Sequence, residues 1–322
     1  MHTKNHKTII ITPVYEDIEA CSKVLKELKK LFNKDAYIVA VDDGSINQPL
    51  TISIFKNIGI DGCIIKLKRN LGHQRALAIG ICFISNQLDS NHIVVLMDSD
   101  GEDNPNSIPK LISELYKKDI DVVVSSRKRR TESIFFRMFY FFYKIFFRIL
   151  TGRAISFGNF MILKPIAIKQ IVTMQELSTH IAGTILSSNL RVGNCPIDRG
   201  RRYEGKSKLN FLALVLHGFR GLMVFAENVL IRVGITCTAI AIFSVLGAIT
   251  AILLKIIGFS TPGWFSIALG VLVIIFLQTA ALALILLMLT GIMRNSTFTA
   301  LFSYQEFIDQ VFETKYSKIK NE

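Results

Sequence analysis

The sequence predicts an α/β protein: a mostly parallel sheet with helices on both faces, followed by two C-terminal transmembrane helices. Three observations predict it. Short β-branched runs alternate with runs of three-and-four apolar spacing from about residue 8 to residue 125, the pattern of strand–helix–strand units. Acids recur just after the strand-like runs, at Glu16, at Asp42 with Asp43, and at Asp98 with Asp100. In a parallel sheet those loops share the edge at which ligands bind. Lastly, no charged residue occurs from Val233 to Leu254 or from Ile256 to Met293, and roughly 20 apolar residues cross a bilayer core.

Taken in order, Thr8 to Thr12 reads as a buried strand broken by Pro13-Val14-Tyr15-Glu16-Asp17. Asp17 can cap a helix whose apolar positions are Ile18, Cys21, Val24, Leu25, Leu28, Leu31 and Phe32. Tyr37 to Val41 is a second strand, running into Asp42-Asp43-Gly44-Ser45. A short helix and the strand Cys63 to Leu67 follow. Arg69 to Arg75, with Gly72 inside it, opens a helix through about Leu88. Strand Ile93 to Met97 delivers Asp98, and helix Ile108 to Lys117 and strand Val122 to Ser125 complete the series.

In Asp98-Ser99-Asp100-Gly101-Glu102-Asp103-Asn104-Pro105 the first two acids stand two apart, so an extended backbone puts them on one side. Hard divalent cations such as Mg²⁺ or Mn²⁺ take oxygen ligands and keep open positions for substrate phosphates. Acids after a strand equally suit a turn that caps the next helix. The convergence of acids from several loops is the stronger signal.

From Glu132 to Leu150 Phe and Tyr abound, and Arg137, Lys144 and Arg148 fall on one helical stripe. That suits a membrane interface, or a core helix with snorkelling cations. Ser207 to Ile231 reads as a second amphipathic, juxtamembrane helix. Between them, Arg199 to Lys208 holds many cations and two glycines; such a loop suits closure over a diphosphate, or a solvated linker. The expected division is 1–130 nucleotide-binding core, 131–206 the rest of that domain, 207–231 juxtamembrane helix, 232–294 two-helix anchor and 295–322 cytosolic tail. The helices are expected near 233–254 and 264–293, with turn signal Thr261-Pro262-Gly263 between them. Basic flanks outside the helix pair place both termini in the cytosol, and the membrane is expected to be a bacterial inner membrane. Met1 to Tyr15 is no signal peptide.

The net charge of +13 fits anionic partners, nucleotide phosphates or phospholipid headgroups. Nucleic acid is open on charge alone and is not expected once the motifs are read. The five cysteines form no CxxC pair, against a zinc site or disulfide frame. Gly234, Gly247, Ala248 and Ala251 suit packing against another copy, a homo-oligomer.

Several short motifs occur in one order: Pro13-Val14-Tyr15-Glu16, Asp42-Asp43-Gly44-Ser45, Asn70-Leu71-Gly72-His73-Gln74, Asp98-Ser99-Asp100, Gly158-Asn159-Phe160 and Arg202-Tyr203-Glu204-Gly205-Lys206-Ser207-Lys208. The ordered set, across about residues 8–210, resembles the family 2 glycosyltransferases of the polyprenyl-phosphate branch. The resemblance implies a GT-A fold, a UDP- or GDP-linked sugar donor, a polyprenyl-phosphate acceptor and Mg²⁺ or Mn²⁺. It implies that Asp98 and Asp100, with Glu102, serve the metal–diphosphate. It assigns Glu16 and Asp42 to the nucleoside, with Pro13, Tyr15, Asp43, Ser45, Gly72 and Arg75 in the same donor site. Arg202, Ser207 and Lys208 would come from a loop that shuts on donor and acceptor phosphate, and Arg127 is a further phosphate contact. Asp100, Arg202 and Lys208 are the catalytic candidates.

Two departures stand out. The family often has Gln at Glu102, followed by Pro-Pro, and an acid in an Asp-x-Gly pattern at Ser156. A lipid phosphate is already an anion and needs little general base. The other readings are a transferase acting on a glycan or glycolipid hydroxyl, with His180 or Asp198 as base, and an inactive membrane scaffold.

Overall fold

The structure is a computed structural model, and it describes residues 7–117, 119–127, 134–154, 157–198, 200, 202–203, 211–259, 263–296 and 303–314. The chain forms two compact units. One comprises residues 1–143, 154–224 and 301–322; the other comprises 144–153 and 225–300.

The first unit holds an eight-stranded sheet in the order β7-β5-β6-β4-β1-β2-β3-β8. Its strands are β1 (Thr8–Val14), β2 (Ala36–Asp42), β3 (Asp61–Leu67), β4 (Ile93–Leu96), β5 (Val122–Arg127), β6 (Phe157–Leu163), β7 (Val192–Ile197) and β8 (Ile308–Glu313). The pairs β4-β1, β1-β2 and β2-β3 are parallel, so the ends of β1, β2 and β4 lie side by side on one edge. β6 runs antiparallel between β4 and β5. Residues of β1, β2 and β4 are buried throughout, as expected of parallel strands covered on both faces. Alternate residues feed two cores: Ile9, Ile11, Val39 and Val94 one, Ile10, Ile38, Ala40 and Val95 the other. Helix α1 (Ile18–Phe32) lies on the second core; α3 (His73–Ser85) packs on the first and is buried along most of its length. Helices α2 (Ile52–Ile58), α4 (Ile108–Lys117), α6 (Pro165–Ile171) and α7 (Ile181–Ser187) complete the layers, and α5 (Ile134–Thr151) runs from this unit into the other.

Pro13 does not break the first strand. β1 continues through it, with Pro13 opposite Val41 and Val14 opposite Asp42. The carbonyls of Ile11 and Pro13 face the β4 side, where they accept from Met97 N and Ser99 Oγ. The ladder with β4 ends at Leu96. The N–H that proline lacks thus falls where there is no strand left to receive it.

The second unit is a helical hairpin, α9 (Ala226–Ile256) and α10 (Trp264–Ser296). Both are long and apolar enough to cross a membrane. Only 22% of the apolar window of α9 and 0% of that of α10 is buried, unlike a core helix. Cys237, Ala241, Ser244 and Ala251 form the buried stripe of α9, at spacings that share one face. A Cβ on Gly247 would meet Leu272 of α10 at 3.2 Å. Small residues thus serve close packing within the hairpin.

Two further boundaries differ from the sequence expectation. The segment expected as one helix over 207–231 contains α8 (Phe211–Met223), a turn, and the start of α9 at Ala226. Glu227 and Arg232 belong to α9, because the charge-free run marks the membrane-length core of a helix, not its ends. The segment expected as a tail supplies β8, which pairs antiparallel with β3.

Candidate active site

The site is assembled at the carboxyl ends of β1, β2 and β4. The chain after β1 turns sharply: Glu16 has φ 48°. Its Oε1 accepts the N–H of Ile46 (2.7 Å) and Asn47 (3.0 Å), and its Oε2 that of Gln48 (2.8 Å). The Glu16 N–H donates to Ser45 Oγ at 2.9 Å. Asp42 is fully buried; its Oδ1 accepts from Ser45 N and its Oδ2 from Leu50 N, both at 2.9 Å. Asp43 reaches the opposite way, accepting from Leu71 N (2.8 Å) and Gly72 N (2.9 Å). Burial raises the Asp43 carboxyl above its usual range, against the lowering of those two N–H bonds. At Gly44 φ is +71°, and a Cβ would lie 2.5 Å from the backbone carbon of Arg69; only glycine allows these two loops to touch.

These acids therefore converge on one edge, but their oxygens are spent on backbone donors that shape the rim. Pro13 lies in β1, and Tyr15 is 41% exposed beside the rim. Gly72 (φ 90°) precedes α3 as its cap, and Arg75 is exposed on the first turn.

The turn after β4 is the acidic pole. Ser99 Oγ donates to the Pro13 carbonyl at 2.8 Å, which pins the turn to β1. Asp98 N donates to Asp103 Oδ2 and Glu102 N to Asp100 Oδ1, each at 2.9 Å. Burial, then the like charge of Asp98, raises the Asp103 carboxyl well above its usual range, with Asp100 adding to the effect. An arginine and a histidine answer that charge. Arg202 places Nη2 at 2.8 Å from Asp100 Oδ2. His73 Nε2 lies 3.2 Å from Asp98 Oδ1, with the Asn159 amide 3.0 Å from the same nitrogen. Burial works against a charged His73, yet Asp98, then Asp103 and Asp100, raise its pKa.

Part of the basic loop lies on this turn. Gly200 N donates to the Glu102 carbonyl (2.9 Å) and Tyr203 N to the Asp100 carbonyl (3.0 Å). Gly101 has φ +87°, and a Cβ there would lie 2.5 Å from the Tyr203 ring. Arg127 ends β5. Ser207, Lys208 and Ser156 lie outside the described residues.

His73 and Asp103 were not singled out from the sequence, although both fall within or beside motifs that were. His180 is no base: its Nδ1 accepts from Gly183 N at 3.0 Å, and burial, then His217, lower its pKa to about 3.

Among the described residues no group of three or more His, Cys, Asp and Glu side chains forms a ready metal site. The donor chemistry nonetheless fits Mg²⁺ or Mn²⁺. The pole is all oxygen: the carboxylates of Asp98, Asp100 and Asp103 stand on one turn. Such ions are commonly held by one or two carboxylates plus substrate phosphates and water.

Comparison with known proteins bears on the site. The chain is 21% identical to the uncharacterized glycosyltransferase YkoT of Bacillus subtilis, over 81% of this chain and 80% of that protein. It is 25% identical to the undecaprenyl-phosphate 4-deoxy-4-formamido-L-arabinose transferase of Salmonella choleraesuis, over 76% of this chain and 72% of that one. It is 29% identical to the dodecaprenyl-phosphate galacturonate synthase of Rhizobium johnstonii, over 53% of this chain; the match spans about half of that relative, 51%. Among solved structures, glucosyl-3-phosphoglycerate synthase from Mycobacterium tuberculosis in complex with Mn²⁺, UDP-glucose and phosphoglyceric acid superposes with a TM-score of 0.48. It covers 71% of this chain and 80% of that one at 17% identity. The family model described as glycosyl transferase family 2 matches residues 9–169, half of the 322-residue chain and the whole span from β1 to α6 that carries the acidic edge, so this chain belongs to that family and is a glycosyltransferase with a GT-A α/β fold.

Proposed function

We propose that the chain is a divalent-metal-dependent, inverting transferase that moves a sugar from a UDP- or GDP-linked donor to a membrane polyprenyl phosphate. The observation that carries it is the acidic pole at Asp98 and Asp100, met by Arg202, in a chain with two membrane-length apolar helices. Two relatives whose names carry a polyprenyl phosphate support the acceptor class.

Asp98 and Asp100, with Glu102 as a further candidate, would hold the cation, which would neutralise charge on the departing diphosphate. The loops fixed by Glu16, Asp42 and Asp43 shape the nucleoside rim, with Tyr15, Ser45 and Gly72 along it. Asp43 joins that rim to the start of α3. His73 orients Asp98, and Arg202 exchanges Asp100 for diphosphate oxygens as charge develops. Arg75, Arg127, Ser207 and Lys208 are further phosphate contacts. An acceptor phosphate is anionic at neutral pH, so positioning rather than proton removal is the main demand. In-line attack at the anomeric carbon inverts configuration. The transferase sits in a membrane with its catalytic unit and termini cytosolic.

The test is sugar transfer by the full chain in detergent, with UDP- and GDP-sugars, Mn²⁺ or Mg²⁺, and polyprenyl phosphate. A polyprenyl-phosphate sugar, formed with metal and lost with EDTA, is expected. Transfer only to a glycan or glycolipid hydroxyl sinks the acceptor assignment.

A further inference from the structure

Three histidines run away from the acidic pole, each on a different element. His73 lies against Asp98. Its neighbour Gln74, buried, accepts the Ile181 N–H at 2.8 Å, which ties the first turn of α3 to the first turn of α7. His180 caps α7, and its ring lies against that of His217 on α8, centroids 4.6 Å apart. α8 is seated closely: a Cβ on Gly218 would lie 3.0 Å from the Tyr143 ring, and one on Gly221 3.7 Å from the His180 ring. His217 is near enough to the pole for its charges to act on it. Burial, then His73 and Arg220, lower the His217 pKa, and Asp98 opposes them.

His217 is half-buried, and its ring nitrogens have no hydrogen-bond partner among the described residues. Arg220, one turn on and exposed, has no ion pair among them either. Both side chains therefore keep donors available to a ligand that reaches this face. Among the described side chains of α8, Leu216, Phe219 and Met223 are apolar and 49%, 57% and 63% exposed. At helical spacing Arg220 falls between that face and the His217 face. A donor pair beside an apolar strip fits a molecule with an anionic head and a hydrocarbon tail.

We propose that His217 and Arg220 seat the phosphate head of a lipid phosphate monoester, with His180 as the positioning residue behind His217 and the tail along Leu216, Phe219 and Met223. The neutral imidazole donates one N–H and the guanidinium supplies a charged fork. This rests on the reading of the acceptor as a polyprenyl phosphate, and it names residues for that end of the reaction.

The experiment is equilibrium binding of a radiolabelled short-chain polyprenyl phosphate to the full chain in detergent, without donor, with thermal unfolding as the fold control. His217→Gln and Arg220→Gln are each expected to weaken binding about tenfold. His217→Phe keeps the stack on His180 and is expected to lose as much, so it carries the test if His217→Gln misfolds. Polyprenol, lacking phosphate, is expected to bind all forms alike. Affinity for the lipid phosphate that is equal in wild type and folded variants overturns the seat, as does absence of binding by the wild type. Displacement by equimolar inorganic phosphate overturns the lipid assignment in favour of a free-phosphate site. If binding follows this pattern but no donor gives transfer, the proposed reaction fails and the seat stands; if transfer occurs with equal affinities, only the seat fails.

Discussion

Asp98 and Asp43, both acids at strand ends, do opposite work, and substitution separates them. Asp98 shares the pole with Asp100 and Asp103, so Asp98→Asn is expected to cut transfer about 100-fold or more with little change in thermal midpoint. Asp43 holds two backbone donors while 3% exposed. Asp43→Ala leaves both unmet, at roughly 1–3 kcal/mol each, and denaturant melts should register it; unaltered stability would mean water replaces the carboxylate. Arg202 allows a third test. Its guanidinium occupies Asp100 Oδ2, so a cation arriving without donor must compete with it. Arg202→Gln is expected to raise Mn²⁺ affinity of the donor-free protein about tenfold while slowing transfer, read by electron paramagnetic titration. The positions of the acids were legible, because apolar runs end abruptly at them. Their partners were not: the donors at Ile46, Leu50 and Leu71 are backbone groups, and backbone groups leave no mark in a sequence.

The sequence ends β1 at Thr12 because proline reads as a breaker, whereas the end of β4 makes Pro13 harmless. α7 is only seven residues long and depends on its cap. His180 accepts the Gly183 N–H in neutral form, and its pKa is lowered to about 3. A histidine whose folded pKa lies below the unfolded value adds stability above the unfolded pKa and loses it as pH falls toward the folded one. The loss falls between the ordinary histidine value and about 3. His180→Asn keeps a capping oxygen and removes the titration, so its midpoint should fall less steeply over that window; parallel curves for both proteins would assign the acid sensitivity elsewhere. In the acidic turn, Gly101 admits the Tyr203 ring at a positive φ. The glycine was visible in the motif, but the aromatic ring that needs it lies about a hundred residues further on.

Across the whole molecule, the alternation of strands and helices and the two charge-free runs sufficed to anticipate the α/β sheet and the membrane-length hairpin. They did not anticipate the return of the chain after α10. β8 is short and mixes half-buried with exposed residues in no regular order, and a tail with so weak a pattern gives little periodicity to read. Yet Thr314 bonds to Gly62 across 252 positions, and Tyr304, Phe307, Ile308 and Val311 pack on the core beneath α3. Deleting residues 303–322 is expected to uncover the β3 edge, lower the thermal midpoint by several degrees and promote association through that edge. A truncated chain that melts and stays monodisperse like the full one would show the strand to be ornamental. The final strand also sets a clock on biogenesis. Because the ribosome delivers it only after both apolar helices have emerged, the catalytic unit leaves synthesis with one flank open and is sealed last. A chain stalled within the hairpin therefore lacks the strand that covers the β3 edge.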